Sequence, residues 1–408
     1  MEDLLFLAHR IPYPPNKGDK IRSFNILRYL SRTYRVHLGA FVDDPDDMRY
    51  CDKVKSLCAS TCLLPLSSTR AKIRSLSGLI RKTALSPHYF YDKRMQQWVA
   101  SCMAGVNPQR VFVYSSPMAQ YVLGEDSAKI RRVIDFVDVD SDKWSQYADR
   151  KAWPLSWLYR REARMLLEFE RDIAMKFDAS LFVSAEEAAL LRELVPEAAS
   201  AINYFDNGVD HEFFSPDRDY DDPYNGCRDA LVFTGAMDYW ANIDAVKWFA
   251  QEIFPKVLAE VESARFYIVG ARPSREVQEL SALPGVSVVG AVKDIRPYLA
   301  YARAAVAPLR IARGVQNKVL EAMAMARAVV ATRVAVAGID ITGEDGLAIA
   351  DNSDEFSGKT IRLLQSSGAS VFNNSRDWVC KRYDWEHNLQ KLDAYLESGQ
   401  QDRSDTAG

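Results

Sequence analysis

Two hydrophobic rhythms alternate along the chain. Short runs rich in β-branched and aromatic residues are separated by stretches whose apolar positions recur every three or four residues. In the first half the runs fall at 4–9, 35–42, 62–66, 110–116, 132–138 and 179–184, with a long helix predicted around 155–177. The second half repeats the scheme at 230–236, 265–271, 286–292, 304–309, 328–332 and 346–350. Strands alternating with helices predict an α/β fold of parallel sheets covered on both faces. Two such series in 408 residues predict two Rossmann-like, doubly wound domains facing across a cleft. The polar stretch 203–226, containing Asp, Pro and Gly, reads as the junction. It divides an N-terminal domain at 1–202 from a C-terminal domain at 203–382.

Open α/β sheets bind ligands beyond the C-terminal ends of their strands, so the residues after each strand carry the functional reading. After the first strand comes His9 and then "RIPYPPNKGDKIRSF". Three prolines forbid a helix there, Gly18 permits a tight turn, and a helix begins near Asp19. This loop, with Gly18, Asp19, Arg22 and His9, is a usable anion or hydroxyl site, and a plain connection is the alternative. After the run 304–309 comes "RIARGVQNKVLEAMA". Arg310, Arg313 and Lys318 lie where a helix N-terminus already carries positive charge, which disfavours cations unless an anion joins them. Gly314 lets backbone approach a ligand, Arg and Lys suit a diphosphate, and Glu321 is an acceptor suited to a sugar diol. A solvated basic turn is the alternative.

Composition narrows the classes. The chain is 48% hydrophobic and 26% charged, with 52 basic against 55 acidic side chains, which gives no reason to expect nucleic-acid binding. The six cysteines form no CxxC pair and read as free thiols. No GxGxxG or GxSxG motif occurs, which leaves dinucleotide cofactors and a serine hydrolase unsupported. The first residues lack a signal-peptide pattern, and no apolar window approaches the roughly 18 residues of a membrane span, so a cytoplasmic protein is expected. The segment 68–91 mixes Arg70, Lys72, Arg74, Arg81 and Lys82 with Ile73, Leu76, Leu79 and Ile80. It predicts either an ordinary surface helix or peripheral contact with an anionic membrane, at the inner face. In "DFVDVDSDKW" Asp138, Asp140 and Asp142 alternate, but the spacing is not that of an EF-hand. Asp138 is a candidate acceptor base at a strand end, and a metal-binding DxD of a GT-A transferase is the rival. No metal is expected.

"NKVLEAMAMARAVVAT" resembles the donor segment of retaining glycosyltransferases of the family-4 type, which have the two-domain GT-B fold. "FDNGVDHEFFSP" is similar to that family's linker, and "LVFTGAMDYWANIDAVKWF" to the opening of its donor domain. "HRIPYPPNKGDKIRSFNILRYLS" and "VIDFVDVDSDKW" resemble more narrowly the sugar transferases of bacterial PEP-CTERM/exosortase and exopolysaccharide systems. The resemblance implies hexosyl transfer from a nucleotide-diphosphate sugar, a co-substrate and not a cofactor, to a glycan or lipid-linked acceptor. It implies that a helix about 383–398 crosses back to the first domain, ahead of a polar, disordered 399–408. Lys318 matches a diphosphate-binding position, Glu321 the second Glu of E-x7-E, and Gly235 the end of the first donor-domain strand. Three departures stand out. Arg313 replaces the first Glu, "AMDYWAN" carries no phosphate-binding Arg, and "VYSSPMAQY" carries no His. The expected chemistry has Arg313 and Lys318 stabilising the departing diphosphate, with Asp138 on the acceptor side. A GT-B epimerase or phosphorylase, or a non-catalytic nucleotide-sugar or glycan-binding subunit, are the competing functions.

Overall fold

The computed structural model describes residues 1–124, 130–149, 151–312, 314–339, 346–366 and 371–397, with side chains of 371–373 excepted. Arg313 and the segment 399–408, both subjects of sequence expectations, lie outside the described residues.

The chain divides into two compact units. The first is Met1–Asp206 with the C-terminal segment that starts at Glu386, and the second is Asn207–Trp385. In the first unit seven strands form one sheet: β1 (Asp3–Ala8), β2 (Arg35–Val42), β3 (Ser60–Pro65), β4 (Arg110–Tyr114), β5 (Arg131–Val137), β6 (Ala179–Phe182) and β7 (Ile202–Tyr204). Their order is β3-β2-β1-β4-β5-β6-β7 and every pair is parallel. The second unit has β8 (Ala230–Thr234), β9 (Arg265–Val269), β10 (Val286–Gly290), β11 (Ala304–Ala307), β12 (Ala328–Ala331) and β13 (Leu347–Ile349). Their order is β10-β9-β8-β11-β12-β13, again all parallel.

The hydrophobic runs become strands because helices cover both faces of each sheet. Leu4 to Ala8 and Leu231 to Phe233 are wholly buried, so both alternating sets of side chains must be apolar. Each sheet reverses its strand order once, at β1/β4 and at β8/β11. The C-terminal ends of those strands are therefore the two natural ligand crevices.

Helix Gly18–Thr33 follows β1. Gly18 opens it in ordinary backbone with free space around it, so its position does not require glycine. Arg22, expected to face an acceptor, is instead enclosed within the first unit. Its Nε donates to Asp135 of β5 at 2.7 Å, its other nitrogens donate to the Phe182 and Phe205 carbonyls, and its guanidinium lies 3.7 Å over the Phe205 ring. A fully buried, fully paired arginine is an internal tie, and removing one partner of such a pair costs about 3–5 kcal/mol.

The segment 68–91 forms three short helices, Ser68–Ser75, Ser77–Arg81 and Leu85–Tyr89. The helix Leu85–Tyr89 starts on the carboxylate of buried Glu162, which accepts from Leu85 N at 2.8 Å and Ser86 N at 3.1 Å. Glu162 belongs to the long helix Leu155–Lys176. At the other end of the chain, helix Lys391–Glu397 buries Leu392 and Leu396 against the first unit, where Tyr29 donates to Asp393 at 2.6 Å.

Candidate functional site

The second unit gathers its candidate donor residues where β8 and β11 end. Gly235, directly after β8, has φ +154, and a Cβ there would lie 2.8 Å from Asn242 Nδ2 and 3.2 Å from Lys318 Nζ. Any side chain at 235 would fill the space these two groups share. Lys318 lies in the first turn of helix Asn317–Ala324. Its Nζ donates to Asn242 Oδ1 at 2.6 Å and lies 4.2 Å over the Phe233 ring. Asn242 is held in turn, its Nδ2 donating to the Ala236 carbonyl at 2.9 Å.

The start of that helix is built to receive a partner. Gly314 turns the chain with φ +58, and Gln316 at the N-cap makes no capping bond. Asn317 Oδ1 is buried without a hydrogen-bond partner, an uncommon and unfavourable state for a polar atom. Burial pushes the Lys318 ammonium down to about 7, although Glu321 one turn later opposes the shift. Burial likewise pushes the Glu321 carboxyl up to about 7 against the attraction of Lys318. Two groups that both titrate near neutrality, beside an uncapped helix end, form a site whose charge depends on what occupies it.

Arg310 lies elsewhere. Its guanidinium forks onto Asp244 at 3.0 and 2.5 Å and stands 5.4 Å from the Trp248 ring, on the face of helix Trp240–Trp248. The structure therefore brings together Gly235, Asn242 and Lys318, with Glu321 acting on Lys318, and engages Arg310 separately. Sequence reasoning missed Asn242, which holds the Lys318 ammonium beside Gly235. Its signal was an amide in the first turn of the helix after β8.

The first unit gathers a second group at the ends of β1, β2, β4 and β5. His9 Nε2 lies 3.5 Å from Asp19 Oδ2, and Arg10 bridges Asp19 at 2.7 Å and Asp43 at 2.9 Å. The His9 ring stacks on Tyr114, centroids 5.8 Å apart, and meets the edge of Phe90 at 5.6 Å. Tyr114 also donates to the Asp19 carbonyl. Burial would raise the Asp19 carboxyl, but the His9 hydrogen bond and the Arg10 charge hold it well below the usual carboxylate range. His9 Nδ1 and Asp43 Oδ1 are buried without hydrogen-bond partners.

Asp138 follows β5 and lies 3.6 Å from Lys143 Nζ. Ser116 Oγ, after β4, donates to Asp140 at 3.4 Å. Both strand ends are strained: Ser115 and Val137 have φ +76 and +74, and a β-branched residue in that region is a true outlier. Such strain collects where a site over-determines the backbone. Behind the loop, burial and the neighbouring Asp140 push Glu170 up to about 8, and burial with Asp138 pushes Glu187 up to about 7. Glu170 holds Ser141, and Glu187 accepts from Val139 N at 2.7 Å. The acidic residues in "DFVDVDSDKW" are thus spread over different roles. Among the described residues no three His, Cys, Asp or Glu side chains are grouped to hold a metal.

Whole-chain structural likeness defines the fold. The crystal structure of Anabaena HepE in complex with UDP matches with a TM-score of 0.67 at 13% identity, over 98% of this chain and 100% of that one. Sucrose-phosphate synthase from Thermosynechococcus elongatus matches at 0.69 and 15%, over 96% and 97%. A glycosyltransferase from Rickettsia africae matches at 0.62 and 13%, over 97% of both chains. At these identities the likeness shows the fold, which is GT-B. Residues 228–366, within the second unit, match the family model described as glycosyl transferases group 1. The second unit therefore carries a glycosyl transferases group 1 domain. No curated protein matches the chain by sequence.

Proposed function

We propose that the protein transfers a hexosyl group from a nucleotide-diphosphate sugar to a glycan or lipid-linked acceptor in bacterial cell-surface polysaccharide synthesis, with retention and without a metal. The carrying observation is Lys318, held by Asn242 beside Gly235 at the uncapped start of helix Asn317–Ala324. HepE, which has the same fold, has been crystallised with UDP and with UDP-glucose. In this reading Lys318 and the first-turn N–H groups neutralise the diphosphate as its bond to C1 breaks, and Glu321 accepts from the nucleotide ribose. Arg313, next to Gly314 in sequence, is the candidate second cation. The acceptor hydroxyl bonds C1 and gives up its proton; Asp138 is the candidate base, and His9 and Asp19 the candidates for holding acceptor hydroxyls, all from the first unit. Exosortase-linked exopolysaccharide systems are the setting that the sequence resemblance favours.

The test is turnover of a panel of nucleotide sugars with and without a glycan or polyprenyl-linked acceptor. Transfer that needs both substrates, and that Lys318→Ala reduces by at least about a hundredfold, supports the reading. Conversion without acceptor identifies an epimerase, turnover that needs inorganic phosphate identifies a phosphorylase, and binding without turnover identifies a non-catalytic subunit. Each of the last three overturns it.

A further inference from the structure

A second surface of the first unit has the chemistry of a membrane interface. In an ordinary surface helix the apolar side chains of 68–91 would be turned inward. Instead Ile73 is 67% exposed and Ile80 87% exposed, with Leu76 exposed between them. A distant segment supplies more of the same. Trp153 is 81% exposed, Trp157 is 59% exposed, and Leu155 lies in solvent between them. The two segments are joined: Arg161, one turn beyond Trp157, donates to the carbonyls of Gly78 at 2.8 Å and Thr83 at 3.1 Å. Large exposed apolar groups from two adjoining segments are uncommon on a water-facing surface and mark an interaction site.

The charge pattern selects the partner. Residues 68–91 contain five Lys or Arg and residues 151–161 three, and neither segment contains an Asp or Glu, in a chain with more acidic than basic residues. Arg70, Lys72, Arg81, Lys82 and Lys151 are exposed and have no ion pair among the described residues, and Arg160 faces Asp149 at 3.5 Å. Exposed isoleucine and tryptophan side chains, interspersed in sequence with exposed cations that have no ion pair among the described residues, fit the headgroup region of an anionic bilayer. There the indole rings sit at the interface and each cation near the surface adds about 1 kcal/mol.

The patch also leads to the first-unit site. Arg74 donates to the His88 carbonyl at 2.8 Å and the Tyr89 carbonyl at 2.5 Å, and the next residue, Phe90, packs on His9. We propose that the surface formed by Ile73, Leu76, Ile80, Trp153, Leu155 and Trp157 docks the protein on an anionic lipid bilayer, beside His9. Its use for a lipid-linked acceptor rests on the proposed function, but the docking itself does not.

The test uses the full chain with vesicles of phosphatidylcholine alone or mixed with phosphatidylglycerol, read by co-sedimentation and by tryptophan emission. The protein is expected to bind the anionic vesicles, to be released by salt, and to show a blue-shifted emission that brominated acyl chains quench. Arg81→Glu with Lys82→Glu should weaken binding at least tenfold, on the order of two reversed surface charges. Trp153→Phe with Trp157→Phe should remove most of the quenching while melting and nucleotide-sugar stabilisation stay unchanged. Equal binding to both vesicle types, no binding, a charge-reversal variant that binds like the parent, or a tryptophan variant that keeps the full quenching would overturn the proposal. So would a dimer, formed without vesicles, that Trp153→Ala with Trp157→Ala dissolves, since a second copy would then be the occupant. If the chain proves not to be a transferase, vesicle binding still decides this inference.

Discussion

Lys318 occupies a position where its charge is useful and hard to keep. With its ammonium lowered to about 7 by burial, a large share of empty sites are neutral slightly above that pH. A diphosphate would restore the charge, so nucleotide binding should draw a proton from solution. Calorimetric titration of UDP at about pH 8, in buffers of different ionisation enthalpy, should show uptake approaching one proton. Affinity should fall by up to tenfold per pH unit above about 7. Glu321 acts in the opposite sense, because a ribose diol favours its ionised form. Glu321→Gln should therefore enlarge the uptake and Lys318→Met abolish it. A pH-independent affinity with no proton exchange would show that Lys318 does not meet the phosphates.

At the scale of elements, the C-terminal helix Lys391–Glu397 is part of the first unit's structure. Besides the Tyr29–Asp393 bond, Arg110 donates to the Leu396 carbonyl and Arg131 to the Tyr395 carbonyl, so the helix seals the ends of β4 and β5. A chain ending at Gln390 loses the burial of Leu392 and Leu396 and should be less stable by about 3–6 kcal/mol, measured by chemical denaturation. No measurable loss would mean that the helix only rests on the surface. Elements of this kind differ in how plainly the sequence announces them. Twelve strands were legible as apolar runs, most plainly the inner ones such as β1, β8, β11 and β12, where burial on both faces leaves no polar alternative. β7, only three residues of mixed polarity at a sheet edge, gave no such signal and was read as part of the junction. Lys318 and Gly314 could be singled out because a loop, a glycine and a cation stand together in sequence, whereas Gly235 came only from the family resemblance. Asn242, Arg10 and Asp43 were not, since their roles arise only when separate strand ends converge. Arg22 misled because a cation in a helix's first turns reads as a ligand group until its partners, Asp135 and Phe205, are seen.

Across the whole molecule the ionisable groups give the two units different pH responses. Glu170 and Glu187 have folded values near 8 and 7, so the first unit's stability from their protonated forms is complete below about pH 4.5. It is lost as pH rises through those values. Lys318 has the reverse effect in the second unit. With its folded value lowered, the unfolded chain binds more protons between about pH 7 and pH 10.5, and stability rises with pH there. Scanning calorimetry should show the first unit's transition falling between about pH 5 and pH 8, a slope that Glu170→Gln reduces. The second unit's should rise above pH 7, a slope that Lys318→Met reduces. Below about pH 7 the raised Glu321 carboxyl makes the second unit fall as well, so it is parallel movement of both transitions above pH 7, in wild type and variants, that would contradict these assignments.

The chain leaves the first unit at Asp206 and re-enters it at Glu386. On the ribosome, the second unit therefore emerges in full while the first still lacks the residues that pair with Tyr29, Arg110 and Arg131. Synthesis thus passes through a nascent chain with a finished later lobe and an unfinished earlier one, so nonsense or frameshift lesions in the codons after Trp385 would cripple the half encoded first.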